Sequence, residues 1–345
     1  MSPDEGGKRL MVRPGQLSAR PRPLVLTAAV AGLLFLAALA VMSLIAGWSK
    51  VTGRLELRVS FWFAVAFASE AASFAAYVFA YRSVAAIEQG PQLSLREATA
   101  LVAFGFGAFL AKGGAALDSK ALSTSDGGEH EGEVRVMALD ALEHAPLAPA
   151  ACAAAITLLA YGLRKPGLDF TVPWATLVPL GAVLAYVGVR HLDRFAGREG
   201  WRGKLGQVLE SIRILFQLAR EWRRHWPALL GSASYWAGDV VCLWACLQPF
   251  GAAPRFAAIV LAHAVGYSLT RRTLPFAGAG IVEVLMPLTL VAAGAPFAGA
   301  ILGVIAYRIF NLWLPLVPAA AVLPHLRRRY GSSFQALPRS VPPSA

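Results

Sequence analysis

Charge is scarce in this 345-residue chain: Asp, Glu, Lys and Arg together make up 15% of it, against roughly a quarter in soluble globular proteins. So little polar surface does not cover a soluble body of this size, which excludes an aqueous enzyme, a DNA-binding module and a disordered chain. Cysteine is scarce as well. Cys152, Cys242 and Cys246 all lie in apolar runs. They are too few for a disulfide framework and lack His partners at zinc-site spacing, so packing is their expected role. Signatures of catalysis are missing too: the chain has no His-Glu-x-x-His, no Gly-x-Ser-x-Gly, no Walker loop and no clustered Asp pair. No stretch outside the apolar runs approaches the ~100 residues of a separate catalytic domain. The sequence therefore predicts no enzyme, no cofactor and no metal.

What is present is apolar. Hydrophobic residues make up 57% of the chain, in runs near or above the ~20 residues with which a helix crosses a bilayer. The fold class this predicts is all-α, a polytopic integral membrane protein. Spans are expected at Leu24–Trp48, Phe61–Tyr81 and about 146–163, 173–190, 227–249, 255–270, 275–294 and 297–323, with a weaker segment at 97–111. The first run is longer than the 7–15 apolar residues usual in a signal peptide, so it reads as an uncleaved helix. The net charge of +12 reads as cytoplasmic loops facing anionic headgroups rather than as a nucleic-acid site.

Charge placement then sets orientation. Residues 190–226 hold nine Lys and Arg and belong with the N-terminus, Arg271-Arg272 and Arg327-Arg328-Arg329 on the cytoplasmic side. If every segment spans, parity puts 190–226 outside. Letting 97–111 dip in and return repairs this, and that segment is short and runs into Lys112-Gly113-Gly114. The expected organisation is a basic cytoplasmic arm (1–22), a transmembrane region (23–326) of about eight spans plus re-entrant or broken helices, and a cytoplasmic tail (327–345). Within it, 118–145 reads as a mobile acidic loop containing Ser123 to Glu133. Residues 203–224 read as a basic amphipathic helix, with apolar Leu205, Val208, Leu209, Ile212, Leu215, Phe216, Ala219 and Trp222 at helical spacing. Such a helix lies on the inner membrane surface or docks a cytoplasmic partner or a second copy of the chain.

Ionisable residues inside apolar runs carry the functional signal. Each costs roughly 2.5–3.5 kcal/mol at mid-bilayer on insertion scales. Glu70, Asp239, Glu283 and Arg308 all fall within expected spans, and His263 is a further candidate. A chain tolerates such groups when they pair or face a polar cavity. A purely structural pair, Arg308 with Glu283 or Asp239, is the plainer alternative. The second signal is broken helix. Pro275, Gly278, Gly280 and Pro287 make a continuous helix through 271–287 unfavourable. A break at Gly278–Gly280 starts a half-helix whose free N–H groups favour anions. Transporters build mid-membrane sites from such discontinuous helices in related positions, and Lys112-Gly113-Gly114 is the candidate counterpart in the first half.

From about Asp239 to Leu326 the sequence resembles the transmembrane family of the lysylphosphatidylglycerol synthases/flippases. The residues that carry the resemblance are Pro275, Gly278, Gly280 and Glu283, then Gly294-Ala295-Pro296, then Tyr307-Arg308 and Trp313. Phe276-Ala277 stands where the family has Pro-Gly. The first-half match, Gly113-Gly114 with Asp118 and Lys120, is slighter. The resemblance implies a flippase-like protein of the bacterial cytoplasmic membrane, both termini cytoplasmic, that moves or binds an anionic phospholipid or another phosphate-bearing lipid. On that reading Arg308 contacts phosphate with the Gly278–Gly280 amides assisting. Glu283 and Asp239 balance it or meet a cationic headgroup. Arg271 and Arg272 collect anionic lipid or simply anchor the inner face. Import of a small soluble anion and a non-catalytic membrane accessory subunit are the alternatives. Transport requires the buried charges to surround a hydrated crevice; clasped in a sealed core, they leave only an anchored scaffold.

Overall fold

The computed structural model describes residues 22–52, 61–87, 90–108, 114–123, 129–161, 167–192, 201–268 and 278–331, and every regular element among them is helical. In chain order these are α1 (Arg22–Ala46), α2 (Trp48–Thr52), α3 (Phe61–Ala85), α4 (Leu95–Ala108), α5 (Gly114–Leu122), α6 (Glu129–Ala160), α7 (Gly167–Arg190), α8 (Trp201–Arg220), α9 (Trp222–Leu247), α10 (Phe256–Ser268), α11 (Val282–Ala292), α12 (Phe297–Arg308) and α13 (Leu316–Tyr330). Among the described residues five stretches are long and apolar enough to cross a membrane: Ala29–Ala46, Phe61–Ala85, Gly132–Ala160, Leu168–Arg190 and Phe297–Tyr330.

The centre is the α3–α9 pair, with α12 packed on α9, and α6 linking α5, α7, α8 and α10. Glycine sets the α3–α9 approach. A Cβ on Gly238 would lie 2.7 Å from the Ser69 carbonyl oxygen, and one on Gly231 would lie 2.7 Å from that of Ala76. Small residues at such crossings let two backbones come close where lipid supplies no hydrophobic drive. The Ser73 hydroxyl then reaches across to donate to the Tyr235 carbonyl at 2.7 Å. The periphery is apolar and bare. No residue from Val172 to Arg190 on α7 is buried, and Leu33, Leu36, Leu44 and Ile45 on α1 are exposed. Contiguous apolar surface of this extent needs a non-aqueous neighbour.

Two pairs of short helices interrupt the long ones. The α4 and α5 helices, of 14 and 9 residues, pack on each other, as do α10 and α11, of 13 and 11 residues. At 1.5 Å per residue even the longest reaches about 21 Å, short of the ~30 Å hydrocarbon core. Within 255–270 and 275–294, expected as full spans, the described helices have 13 and 11 residues.

Other expectations also change. The stretch 118–145, expected as a mobile acidic loop, is helical up to Leu122 and again from Glu129. Its apolar residues Val134, Ala138, Leu139 and Leu142 are buried, a helical spacing that the Ser/Gly/Asp signal at 123–128 concealed. Arg135 secures the join by donating to the Leu122 carbonyl at 2.8 Å. The tail expected from Arg327 continues as helix to Tyr330, where Tyr330 and Arg329 both contact Glu97 of α4, at 2.6 and 2.8 Å. On α8 the expected apolar stripe is not the buried face: Leu209 is buried, Val208, Phe216 and Ala219 are exposed, and Ile214 and Leu218, off the stripe, are buried instead. The arm before Arg22 and the tail after Gly331 lie outside the described residues.

Candidate functional site

Of the residues singled out from sequence, Glu70, Asp239, Glu283 and Arg308 come to rest inside the bundle, each buried. Arg308, the last residue of α12, donates through Nε to Glu283 Oε1 at 2.6 Å. Glu283 lies in the first turn of α11, and its other oxygen accepts the Gly280 N–H at 2.6 Å. The turn before α11 is possible because Gly278 and Gly280 hold φ of +66° and +90°, a region costly for residues with a Cβ. The two donors expected to meet a phosphate, the guanidinium and an amide at the start of a half-helix, thus converge on the chain's own carboxylate. The pair is clasped: Arg308 is 3% and Glu283 4% exposed.

A second network adjoins it on the same helix. Asn311 sits in the π-helical turn Ile309–Trp313 that follows α12. Its Nδ2 donates to Asp239 Oδ1 at 3.0 Å and reaches Glu70 Oε1 at 3.5 Å, while its Oδ1 accepts from the Tyr267 hydroxyl at 2.7 Å. Asp239 Oδ2 lies 3.0 Å from His263 Nε2, and the Tyr307 hydroxyl is 3.3 Å from that nitrogen. Tyr267 stacks on the imidazole, ring centroids 4.7 Å apart. Five helices and one irregular turn therefore supply the buried pair and the network beside it.

Three members of this network carried no sequence-based assignment as site residues: Tyr267, Tyr307 and Asn311. The available signal was their spacing, since Tyr267 follows His263 by one helical turn and Asn311 follows Arg308 by three residues. A further buried carboxylate also escaped. Glu143 of α6, 2% exposed, accepts from the Tyr77 hydroxyl at 3.0 Å, and its backbone carbonyl accepts the Trp236 indole N–H. It lies just outside the apolar run expected at 146–163. Gly114 opens α5, whose Asp118 accepts from the Tyr81 hydroxyl at 2.9 Å. Lys112, Gly113, Arg271, Arg272 and Pro275 lie outside the described residues.

Cys152, Cys242 and Cys246 are free and buried. Among the described residues no group of three His, Cys, Asp or Glu is placed to hold a metal ion. No protein-family model matches the chain, and comparison with curated proteins finds no match.

Proposed function

We propose that the chain is a flippase-like membrane protein that passes a phosphate-bearing lipid headgroup through the bilayer interior, its acyl chains remaining in lipid. The observation that carries this reading is the convergence of Arg308 and the Gly280 N–H on one carboxylate oxygen pair. Guanidinium and helix-start amides are the donors that recognise phosphate, and Glu283 fills their focus. The clasped pair is the arrangement expected of a scaffold, so the transport reading requires a second state in which Arg308 leaves Glu283 and a guest phosphate takes its place. The paired short helices α4–α5 and α10–α11 supply the discontinuity that transporters use at such sites. The resemblance carried by Gly278, Gly280, Glu283 and Arg308 points the same way. On this reading the protein sits in the bacterial cytoplasmic membrane, both termini cytoplasmic, and no catalytic step is assigned to it.

The test is lipid movement in liposomes. Glu283→Ala and Arg308→Ala should each abolish movement while the protein still accumulates. Normal rates in both variants would remove the site. The opened pathway separates lipid from a small soluble anion: lateral access from the bilayer favours the lipid, a closed central cavity the anion.

The closed Glu283–Arg308 pair also favours a second reading, in which it is a structural clasp within a membrane-anchored accessory subunit. On that reading the basic residues of α8 and of the first turn of α9 would dock a cytoplasmic partner. Neutralising Arg213, Arg220, Arg223 and Arg224 would then release the partner, and the alanine variants above would change stability alone.

A further inference from the structure

We propose that α1 is a lateral gate: it swings about Gly47 and opens the seam between α1 and α11, through which a phosphate-bearing lipid headgroup reaches Arg308. The path rests on the transport reading; the movement of α1 stands on the packing.

That packing places α1 over the site. Its inward residues Ala31, Phe35, Ala38 and Met42 are buried and recur at helical spacing, while Leu33, Leu36, Leu44 and Ile45 face outward and are exposed. Ala31 sits against Ala279 and Leu312. Leu34 lies against Gly280, where an added Cβ would be 3.6 Å from the Leu34 Cβ. The Phe35 ring meets Trp313 edge-on, centroids 5.8 Å apart. Thus α1 covers both the Gly278–Gly280 turn and the π-helical turn Ile309–Trp313, the two irregular stretches of backbone that flank Glu283 and Arg308. The seam also reaches the surface, since Leu34 is 40% and Ile281 41% exposed. A headgroup entering there comes to the Gly280 amide and Glu283 while its acyl chains stay in lipid.

Contact along the seam is shallow. A Cβ on Gly32 would lie 3.5 Å from the Trp313 ring, an ordinary van der Waals distance, against 2.7 Å from Gly238 to the α3 backbone. Surfaces that only touch separate without the rearrangement that interlocked helices require. Among the described residues no hydrogen bond or ion pair ties α1 to α11 or α12. Ser43, wholly buried beside Met42, has no partner for its hydroxyl among them either. An unmade bond at a buried hydroxyl disfavours the closed arrangement, and a passing headgroup supplies the missing partner.

The hinge lies at the far end of the helix. Gly47, between α1 and α2, holds φ of +90°, a region open to glycine. Hinges are element-terminal residues that absorb large backbone changes. Beyond it Val51 of α2, 3% exposed, packs on Ala298 and Leu302 of α12. The α2 helix therefore stays with the bundle while α1 moves.

Two locks in liposomes test the gate. Ala31→Cys with Leu312→Cys pins α1 to the π-helical turn; Val51→Cys with Ala298→Cys pins α2 to α12. Disulfide formation is read by intact mass, with oxidised wild type as the control for the three native cysteines. Oxidising the first pair should slow lipid movement roughly tenfold or more, and reductant should restore it. The second lock should leave movement unchanged. Movement at the wild-type rate with α1 pinned overturns the gate, as does equal loss with α2 pinned. Where the first disulfide does not form, spin labels decide. Leu36→Cys on α1 and Phe79→Cys on α3, both at exposed positions, should give two separations in nanodiscs, and a single narrow one overturns the proposal. If wild type moves no lipid, the transport reading falls, while the spin-label separations still decide whether α1 moves.

Discussion

Arg308 and Glu283, on consecutive helices and 25 positions apart, meet at 2.6 Å inside the bundle, and Glu283 at the same time caps the Gly280 amide. One carboxylate thus ties the end of α12 to the start of α11. A buried pair of this kind is weak evidence for net stability, yet removing one partner strands the other.

That asymmetry predicts the behaviour of single and double variants. Glu283→Gln or Arg308→Met alone should lower stability in detergent by about 3–5 kcal/mol, whereas the double variant should recover most of the loss. Denaturant or thermal unfolding checks this. Full additivity of the two losses would show that the residues do not act as a pair.

Gly280 tests the turn separately from the charge. A Cβ there meets nothing closer than Leu34 atoms at 3.6 Å, so any cost of Gly280→Ala comes from φ of +90° rather than from a clash. The expected loss is about 1–3 kcal/mol, read as a lower unfolding midpoint. An unchanged midpoint would mean that the turn adopts another conformation.

At Gly238 the opposite holds, because the backbone of α3 lies within 2.7 Å of a Cβ position. Gly238→Val should force α3 and α9 apart and cost about 1–3 kcal/mol or more. Gly181→Val, with open space around its Cβ position, is the control, and its unfolding midpoint should change no more than for an ordinary surface substitution.

Tyr77→Phe removes one hydroxyl from the buried Glu143 and keeps the ring. It should cost about 0.5–1.5 kcal/mol, the usual net worth of one hydrogen bond. Ser83→Ala is the control. The Ser83 hydroxyl bonds only within its own helix at an exposed position, and its loss should stay within about 0.5 kcal/mol.

The sequence by itself determined the helical, apolar character of the chain, because bilayer thickness and backbone hydrogen bonding leave few alternatives for runs of this length. It also picked out Glu70, Asp239, Glu283 and Arg308, since a charge within an apolar run stands out in one dimension. The break at Gly278–Gly280 was legible for a similar reason: glycine permits the positive φ found there. Helix at Glu129–Ala160 was obscured, because the Ser/Gly/Asp run before it is a local loop signal while Leu139 and Leu142 show their purpose only against a neighbouring helix. What tertiary structure alone decided is which groups meet. Whether Arg308 faces Glu283 or Asp239, and whether Asn311 reaches across to Glu70 241 positions away, depends on how α3, α9, α11 and α12 pack. That packing arises from contacts between segments far apart in the chain, which no local pattern of residues encodes.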